Sequence, residues 1–328
     1  MKESLDLTMQ SPFLTTAESL LAYCELSPDN APYGLSTPRF PVRVPTGFAG
    51  KIIKGDWLDP LLLQVLPRSE EGDSPPEHYG SDPVGDTGAQ VACGLLHKYH
   101  GRALLLATST CAINCRYCFR RAGRCEALPQ DGSRDDEVLS YLKSETTVQE
   151  LVLSGGDPLL LSTMRLKRLI SCFAAISHIK TIRFHSRIPA VLPSRITPGL
   201  LRLFSSAAQR FSCITVIHVN HPREIDNHAI KVLLSMRAAG MLLLNQSVLL
   251  KGINDSAQTL GELSERLTEA GVVPYYLHQL DRVCGAHHFE VEEKTGASII
   301  NRMRTEHPGY AVPRYVREVP GAPGKIPL

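Results

Sequence analysis

From residue 103 onward, short apolar runs alternate with helix-length amphipathic segments, and this alternation constrains the fold more than any other feature. Strands that alternate with helices pair in parallel through right-handed crossovers. Six such units predict an α/β fold built as a partial, open (β/α)6 barrel rather than a closed eight-stranded one. The predicted strands are 103–107, 150–153, 181–185, 213–219, 241–249 and 273–277, and the predicted helices lie near 135–146, 164–177, 198–208, 226–239, 256–270 and 292–306.

The segments outside this alternation predict an extension at each end of the barrel. Residues 1–94 are rich in proline and glycine and weakly periodic, which predicts a helical and loop extension with short helices at 15–26 and 59–66. A long polar loop is expected at 67–86. The barrel core is expected over 95–310. Residues 311–328 form a C-terminal segment whose apolar start, 315–319, suggests a docked strand rather than a disordered end.

Composition narrows the class of protein. The chain has 328 residues, 43% hydrophobic and 21% charged, as in ordinary globular proteins. A net charge of +2 gives no general attraction to nucleic acid, and no apolar run reaches the roughly 18 residues of a membrane span. Nine cysteines, an odd number with three clustered, favour a reducing cytoplasm. We therefore expect a cytoplasmic protein; a homo-oligomer is left open.

Three cysteines stand on one short loop after the first predicted strand. Cys111, Cys115 and Cys118 have the spacing C-x3-C-x2-C. Three thiolates can hold a [4Fe–4S] cluster and leave one iron open to an outside ligand. Two alternatives are a zinc site with Cys125 as fourth ligand and reduced thiols packed in the core. The spacing is typical of radical S-adenosylmethionine (SAM) enzymes, in which SAM binds the open iron.

Other polar residues follow the predicted strands at their carboxyl ends, where such barrels carry their chemistry. Gly155 and Gly156 would let the backbone approach a cofactor closely, with Asp157 beside them, although a tight turn also needs such glycines. His185 and Gln246 could hydrogen-bond SAM or a second cofactor, or could be satisfied core groups.

Four charged residues complete the set of candidates. Arg120 directly follows the cysteine loop and could bind a carboxylate through two hydrogen bonds, and Asp281 after the sixth strand suits an ammonium group or a helix cap. Lys98 belongs to the cationic patch HKYHGR, which is either an anion site or a solvated loop. Lys325, in the C-terminal segment, could form a Schiff base with pyridoxal 5'-phosphate (PLP).

Residues from about 95 to 328 resemble the lysine 2,3-aminomutase family of PLP-dependent radical SAM enzymes, and most closely its bacterial branch that makes (R)-β-lysine for elongation factor P. The motifs that carry the resemblance are LLHKYHGRALLL, CAINCRYCFRR, LSGGDPLL, HSRIPAVLPSRIT, HVNHPREID, LLNQSVLLKGIND, PYYLHQLDRVCGAHHF and REVPGAPGKIPL.

The resemblance implies specific roles for these residues. Lys325 would hold PLP, whose phosphate would contact Lys98, Tyr99 and Arg102. Arg120 would bind the substrate carboxylate, and Asp281 and Glu318 the ε-ammonium of L-lysine. Cys111, Cys115 and Cys118 alone would hold the cluster, without Cys125. In the reaction it implies, a SAM-derived radical takes hydrogen from the substrate β-carbon, and nitrogen moves from C2 to C3.

The sequence also departs from the degradative members of the family. Glu318 stands where they carry Asp, and His278 where they carry Tyr; the chain stops soon after Lys325, so their zinc sites are expected to have no counterpart.

The partners that the resemblance implies are L-lysine, an electron donor such as flavodoxin or ferredoxin, and elongation factor P with its lysyl-tRNA-synthetase-like ligase. A degradative aminomutase and a non-catalytic iron–sulfur redox or sensor protein are the alternatives.

Overall fold

The computed structural model describes residues 13–36, 40–121 and 126–328. Strands within these ranges are β1 (Phe13–Leu14), β2 (Val44–Pro45), β3 (Gln90–Ala92), β4 (Leu95–Tyr99), β5 (Arg102–Thr108), β6 (Glu150–Gly155), β7 (Thr181–Ser186), β8 (Ser212–Ile217), β9 (Leu242–Val248), β10 (Val273–His278), β11 (Arg314–Arg317) and β12 (Ile326–Pro327).

The helices lie mainly between the strands from β5 onward. They are α1 (Ala17–Tyr23), α2 (Thr46–Ala49), α3 (Pro60–Leu63), α4 (Asp135–Ser144), α5 (Thr163–Ala174), α6 (Ile188–Val191), α7 (Pro198–Ala208), α8 (Asn227–Ala238), α9 (Ala257–Glu269) and α10 (Glu293–Glu306). Within the described ranges, no helix is both long and apolar enough to cross a membrane.

One large sheet organises the chain. Its strands lie side by side in chain order from β3 to β12, and β5 to β11 are all parallel. The hairpin β3–β4 adds antiparallel strands at one edge, and β12 pairs antiparallel with β11 at the other. The predicted partial (β/α)6 barrel is therefore confirmed, with its six strands as β5 to β10.

Side-chain caps fix where the barrel helices begin. The hydroxyl of Ser162 accepts from the backbone N–H of Arg165 at the start of α5 (3.1 Å), and the carboxylate of Asp226 accepts from Ala229 at the start of α8 (2.7 Å). Thr197 caps α7 in the same way. Such caps satisfy N–H groups that have no partner inside the helix. They explain why the predicted helices agree with the structure to within a few residues.

The N-terminal segment packs against the barrel. Leu20 of α1, Phe48 of α2 and Leu61 of α3 are fully buried in the same apolar cluster as the barrel residues Leu105 and Phe184. The two short predicted helices both form, although each is shorter than predicted. The division into units at 94/95 and 310/311 stays a prediction.

The C-terminal segment is docked, as the apolar start of the tail indicated. Strand β11 lies parallel to β10, with Tyr315 opposite Leu277, and the hydroxyl of Tyr315 donates to the side chain of Gln279. Strand β12 then turns back along β11 and pairs Ile326 with Arg317. This pairing fixes the tail immediately next to Lys325.

Asp59→Ala is expected to lower the free energy of unfolding by about 3 kcal/mol, because it leaves buried backbone donors without an acceptor and removes the ion-pair partner of Arg223. The Asp59 carboxylate is fully buried and accepts from the N–H groups of Ile53 (2.8 Å) and Leu61 (2.7 Å) and from Arg223 (2.5 Å). Urea unfolding measures the change.

Lys54→Ala is the matched control for that measurement. Lys54 pairs with Glu25 on an exposed part of the same segment (2.6 Å), and exposed pairs contribute little to stability. Equal loss of stability in both variants would contradict the role given to Asp59.

Candidate active site

A cavity of about 330 Å³ opens at the carboxyl ends of the parallel strands. Parallel strands laid side by side bring their carboxyl ends to one rim, so residues far apart in the chain meet there. Every site residue predicted from the sequence lines this cavity: Lys98, Tyr99, Arg102, Cys111, Cys115, Cys118, Arg120, Gly155, Gly156, Asp157, His185, Gln246, Asp281, Glu318 and Lys325. The roles given to these residues stay predictions.

The three thiols of the cysteine loop lie close enough to affect one another. Burial raises the pKa of the Cys118 thiol to about 11, and the neighbouring Cys115 adds to that rise. Burial, with Cys118 next in importance, raises the pKa of Cys111 well above its ordinary value. Three neighbouring thiols on one loop suit a multinuclear iron–sulfur group, which binds thiolates.

The geometry also bears on the alternative of a single metal ion. Among the described residues, no three His, Cys, Asp or Glu side chains converge as ligands of one ion would. In a four-iron cluster each thiolate binds a different iron, so such a group does not require the three thiols to meet at one ion. Cys125, the fourth ligand of the zinc alternative, lies outside the described residues.

The N-terminal segment holds the cysteine loop in place. Arg116 within the loop is fully buried; its Nε donates to Glu71 (2.7 Å) and its Nη1 to the Phe40 carbonyl (2.8 Å). Arg121 at the end of the loop also donates to Glu71. The Arg116 backbone N–H donates to the Gln64 carbonyl (2.9 Å). One buried carboxylate from the segment thus anchors the thiol-bearing stretch at Arg116, within the stretch, and at Arg121, just after it.

Two glycines let the loop after β6 lie against the loop after β5. Gly155 has a φ of +112°, a conformation that side chains disfavour, and a Cβ there would overlap the Thr108 carbonyl. A Cβ on Gly156 would overlap the backbone of Thr110, just before the first cysteine. The glycines therefore allow close contact between the two loops at the cavity wall.

Asp157 ties this loop to the next one. Its carboxylate accepts from the Ser186 hydroxyl (2.7 Å), the Arg187 N–H (2.7 Å), the Ile188 N–H (3.2 Å) and the Leu159 N–H (3.0 Å). With these donors bound, the carboxylate holds the loops after β6 and β7 together. The sequence did not indicate this structural role, and the predicted cofactor contact of Asp157 stays untested.

The cationic patch is divided between the cavity and the outer surface. Lys98 lies in the cavity, and the guanidinium of Arg102 stacks on the Tyr99 ring at 4.5 Å. His97 instead contacts the Tyr141 hydroxyl through Nδ1 (2.7 Å), and His100 is exposed. The strand alternation of β4 accounts for the different directions of His97 and Lys98.

Asp86 is a site residue that the sequence did not identify. Its buried carboxylate pairs with Lys98 and with Arg120, whose Nη2 lies 3.0 Å away. It lies at the end of the polar loop predicted at 67–86. The one feature of the sequence that could have indicated its role is its position as an acidic residue shortly before the cationic patch. The two cations predicted to bind different anions thus share one counter-ion.

Lys325 reaches the cavity from the C-terminal segment. Its Nζ lies 2.6 Å from Glu318, which also accepts from the Tyr99 hydroxyl (2.8 Å). Although burial opposes it, the Lys325 ammonium, with Tyr99 and Lys98, holds the pKa of Glu318 below its usual range. Burial raises the pKa of Asp281 to about 7, and the nearby Glu318 charge adds to this.

Three histidines lie at the cavity wall in neutral form. Burial lowers the pKa of His218 to about 3 and the pKa values of His185 and His278 well below the usual range. Nε2 of His218 contacts the Tyr117 hydroxyl (2.9 Å). The buried Nε2 atoms of His185 and His278 have no hydrogen-bond partner in the described part of the chain. Buried unpaired nitrogens at a cavity suit an organic ligand that supplies their partners.

Comparison with known proteins finds an iron–sulfur domain and relatives that match most of this chain. A model of the 4Fe-4S single cluster domain matches residues 100–186. The chain is 44% identical to the L-lysine 2,3-aminomutase of Escherichia coli over 88% of this chain and 83% of the relative. It is 38% identical to that of Haemophilus influenzae over 97% and 94%, and 35% identical to that of Clostridium subterminale over 82% and 64%.

Asp281→Asn is expected to stabilise the ligand-free protein increasingly from pH 4 to pH 7, and by a constant amount above that. The Asp281 pKa is about 7 in the folded chain and about 3.9 in an unfolded one, so folding retains a proton over this range. The stability that this proton gives the wild type is therefore lost progressively between pH 4 and pH 7. The amide does not ionise, so the variant avoids a loss of about 2–4 kcal/mol in the free energy of unfolding at pH 8.

Urea unfolding of both proteins at pH 4, 6 and 8 measures this difference. A gain of the same size at all three values would show that the amide improves packing and that the Asp281 charge is not strained in the fold.

Proposed function

Because the chain belongs to the L-lysine 2,3-aminomutase family, we propose that it moves the α-amino group of L-lysine to the neighbouring carbon and releases (R)-β-lysine. Membership makes it a radical SAM aminomutase, an isomerase whose cofactors are a [4Fe–4S] cluster, SAM and PLP. It favours an enzyme over an iron–sulfur sensor, which would not need the remaining charged residues of the cavity.

The residues of the cavity fit these cofactors. Cys111, Cys115 and Cys118 would hold the cluster, and the backbone at Gly155 and Gly156, with His185 and Gln246, would contact SAM. Lys325 would bind PLP, with Lys98, Tyr99 and Arg102 at its phosphate. When bound, the cluster and SAM supply a carbon radical that removes hydrogen from the substrate, and PLP carries the migrating nitrogen.

The observation that carries the proposal is the balance of charge among Lys325, Glu318 and Asp281. The Lys325 ammonium faces the Glu318 carboxylate at 2.6 Å, and the Lys98 ammonium lies farther from it, at 3.9 Å. If the Lys325 nitrogen is bound to the carbonyl carbon of PLP, Glu318 loses this partner. Glu318 and Asp281 would then be without their close cation, and the ε-ammonium of lysine would supply one through charge-assisted hydrogen bonds.

Arg120 would recognise the other charged end of the substrate. Its Nε and Nη2 contact Asp86 at 3.1 and 3.0 Å, while the contacts of Nη1 with described residues are long ones, to Ser154 (3.4 Å) and the Gly155 carbonyl (3.5 Å). Part of the guanidinium is therefore free to bind a carboxylate while Asp86 fixes its orientation. With both ends of lysine held, the β-carbon is confined near the radical source, which favours one hydrogen transfer.

Glu318 and His278 distinguish this cavity from that of the degradative enzymes. The longer Glu side chain reaches both Lys325 and Tyr99, and the neutral His278 lies buried at the wall. Together with the motif LLHKYHGRALLL, these residues support the branch that supplies (R)-β-lysine to elongation factor P. The flavodoxin- or ferredoxin-like electron donor and the cytoplasmic location stay predictions.

Lys325→Ala is expected to abolish the absorbance of bound PLP and the formation of β-lysine while leaving the iron content unchanged, because only the covalent nitrogen is lost. Anaerobic protein is assayed with L-lysine, SAM, PLP and a reductant. Lys251→Ala is the control, since Lys251 is an exposed lysine in the loop after β9. Borohydride labelling of Lys98 or Lys251 in the wild type would contradict the assignment of Lys325.

The proposed destination of the product predicts a change in elongation factor P. In cells lacking this gene, its intact mass should lose the β-lysine adduct, and added (R)-β-lysine but not L-lysine should restore it. Attachment needs a separate lysyl-tRNA-synthetase-like ligase, because this sequence has no phosphate-binding P-loop motif. An unchanged adduct in the deletion strain would refute the destination and leave the aminomutase reaction standing.

A further inference from the structure

A buried arginine contacts one of the three thiols of the cysteine loop. Nη1 of Arg187 lies 2.8 Å from Sγ of Cys115, although the two residues are 72 positions apart. We propose that Arg187, opposed by Glu224, is a positioning residue that sets the reduction potential of the iron–sulfur cluster through the Cys115 sulfur. The proposal rests on the proposed function in that it takes Cys115 as a cluster ligand.

The guanidinium of Arg187 is fixed in this position. Nη2 donates to Glu224 (2.6 Å) and to the Gln64 side chain (2.9 Å), and the backbone N–H of Arg187 donates to Asp157 (2.7 Å). The rings of Phe48 and Tyr117 flank it at 5.8 and 5.9 Å. With only 7% of its side chain exposed, Arg187 has no room to swing away from the sulfur.

Glu224, the carboxylate paired with Arg187, is also fixed in position. It is fully buried, and its Oε1 accepts from the backbone N–H groups of Asn220 (2.9 Å) and His221 (3.1 Å) and from the Gln64 amide (3.2 Å). The Lys51 ammonium binds the Glu224 carbonyl (2.7 Å) and anchors the same turn. The pair therefore keeps a fixed geometry relative to the cysteine loop.

The contact is specific to one thiol. Within the described ranges, Cys115 is the cysteine of the loop whose sulfur receives a guanidinium hydrogen bond. A buried ion pair made only for stability is weakly favourable at best, because both ions lose their hydration. A pair whose cation touches a metal ligand has a further effect, since hydrogen bonds to sulfur and nearby charge tune cluster potentials.

The direction of the effect follows from the charge change. The cluster takes up one electron from a low-potential donor of the flavodoxin or ferredoxin class, and its total charge becomes one unit more negative. A fixed cation at a ligand sulfur stabilises the reduced form and raises the potential. A fixed anion lowers it, and in a low-dielectric interior both effects are strong. Removal of Arg187 and removal of the Glu224 charge should therefore act in opposite directions.

The test is a redox titration of the reconstituted full-length holoprotein with dithionite, followed by the electron paramagnetic resonance signal of the reduced cluster. Arg187→Met should shift the midpoint potential to more negative values, and Glu224→Gln to more positive values. Arg187→Lys, which keeps the charge, should lie nearer to the wild type than Arg187→Met. Arg165→Met is the matched control, because Arg165 is a buried arginine paired with Asp135 that hydrogen-bonds to no thiol of the described residues.

The outcomes separate this inference from the proposed function. A wild-type protein that assembles no [4Fe–4S] cluster would refute the function. A normal cluster whose potential is the same in Arg187→Met, Arg165→Met and the wild type would overturn only the role of Arg187. If Arg187→Met fails to fold, an unchanged or more negative potential in Glu224→Gln would overturn it. Equal shifts of the midpoint potential in Arg187→Lys and Arg187→Met would also overturn the role of Arg187, because the charge would then not be the cause.

Discussion

The parallel pairing of strands in chain order is the constraint on which the rest of the structure depends. Each strand from β5 to β10 hydrogen-bonds to the one before it and the one after it, so their carboxyl ends share one rim. The thiol loop follows β5 and the two glycines lie at the end of β6, while Glu318 directly follows β11 and Lys325 directly precedes β12. No single loop has to carry the whole site, because the sheet brings the parts together.

Charge neutralisation is the second organising factor. The cavity gathers Lys98, Arg120 and Lys325, and each has a carboxylate partner, Asp86 or Glu318, in the ligand-free protein. Buried charges without partners are costly, so these internal pairs keep the cavity stable until ligands arrive. Asp281 is the exception: its raised pKa shows that the fold accepts an acid whose charge is only partly compensated. Such a local cost is characteristic of a functional residue.

Local patterns in the sequence were sufficient to predict the barrel. The strands agree with the structure to within two residues because apolar runs such as 103–107 are bounded by polar turns. Helix starts agree because Ser162, Thr197 and Asp226 cap them. The placement of several site residues could also be predicted, since Cys111, Gly156 and Asp281 follow strands whose carboxyl ends meet at one rim. What could not be predicted were contacts between distant segments: Arg187 with Cys115, Asp86 with Arg120, and Glu71 with Arg116. No local pattern records which charged residues will meet across the fold.

The anchoring of the cysteine loop by Glu71 has a consequence for how the protein matures in the cell. Glu71 binds Arg116 and Arg121 from a segment that leaves the ribosome before the loop does. The loop can take its final shape only once that segment has packed beside it. Iron that reaches the chain therefore meets either an unanchored loop or a finished one, whose thiols are only partly exposed. The order of synthesis and packing thus sets the interval in which iron can be loaded.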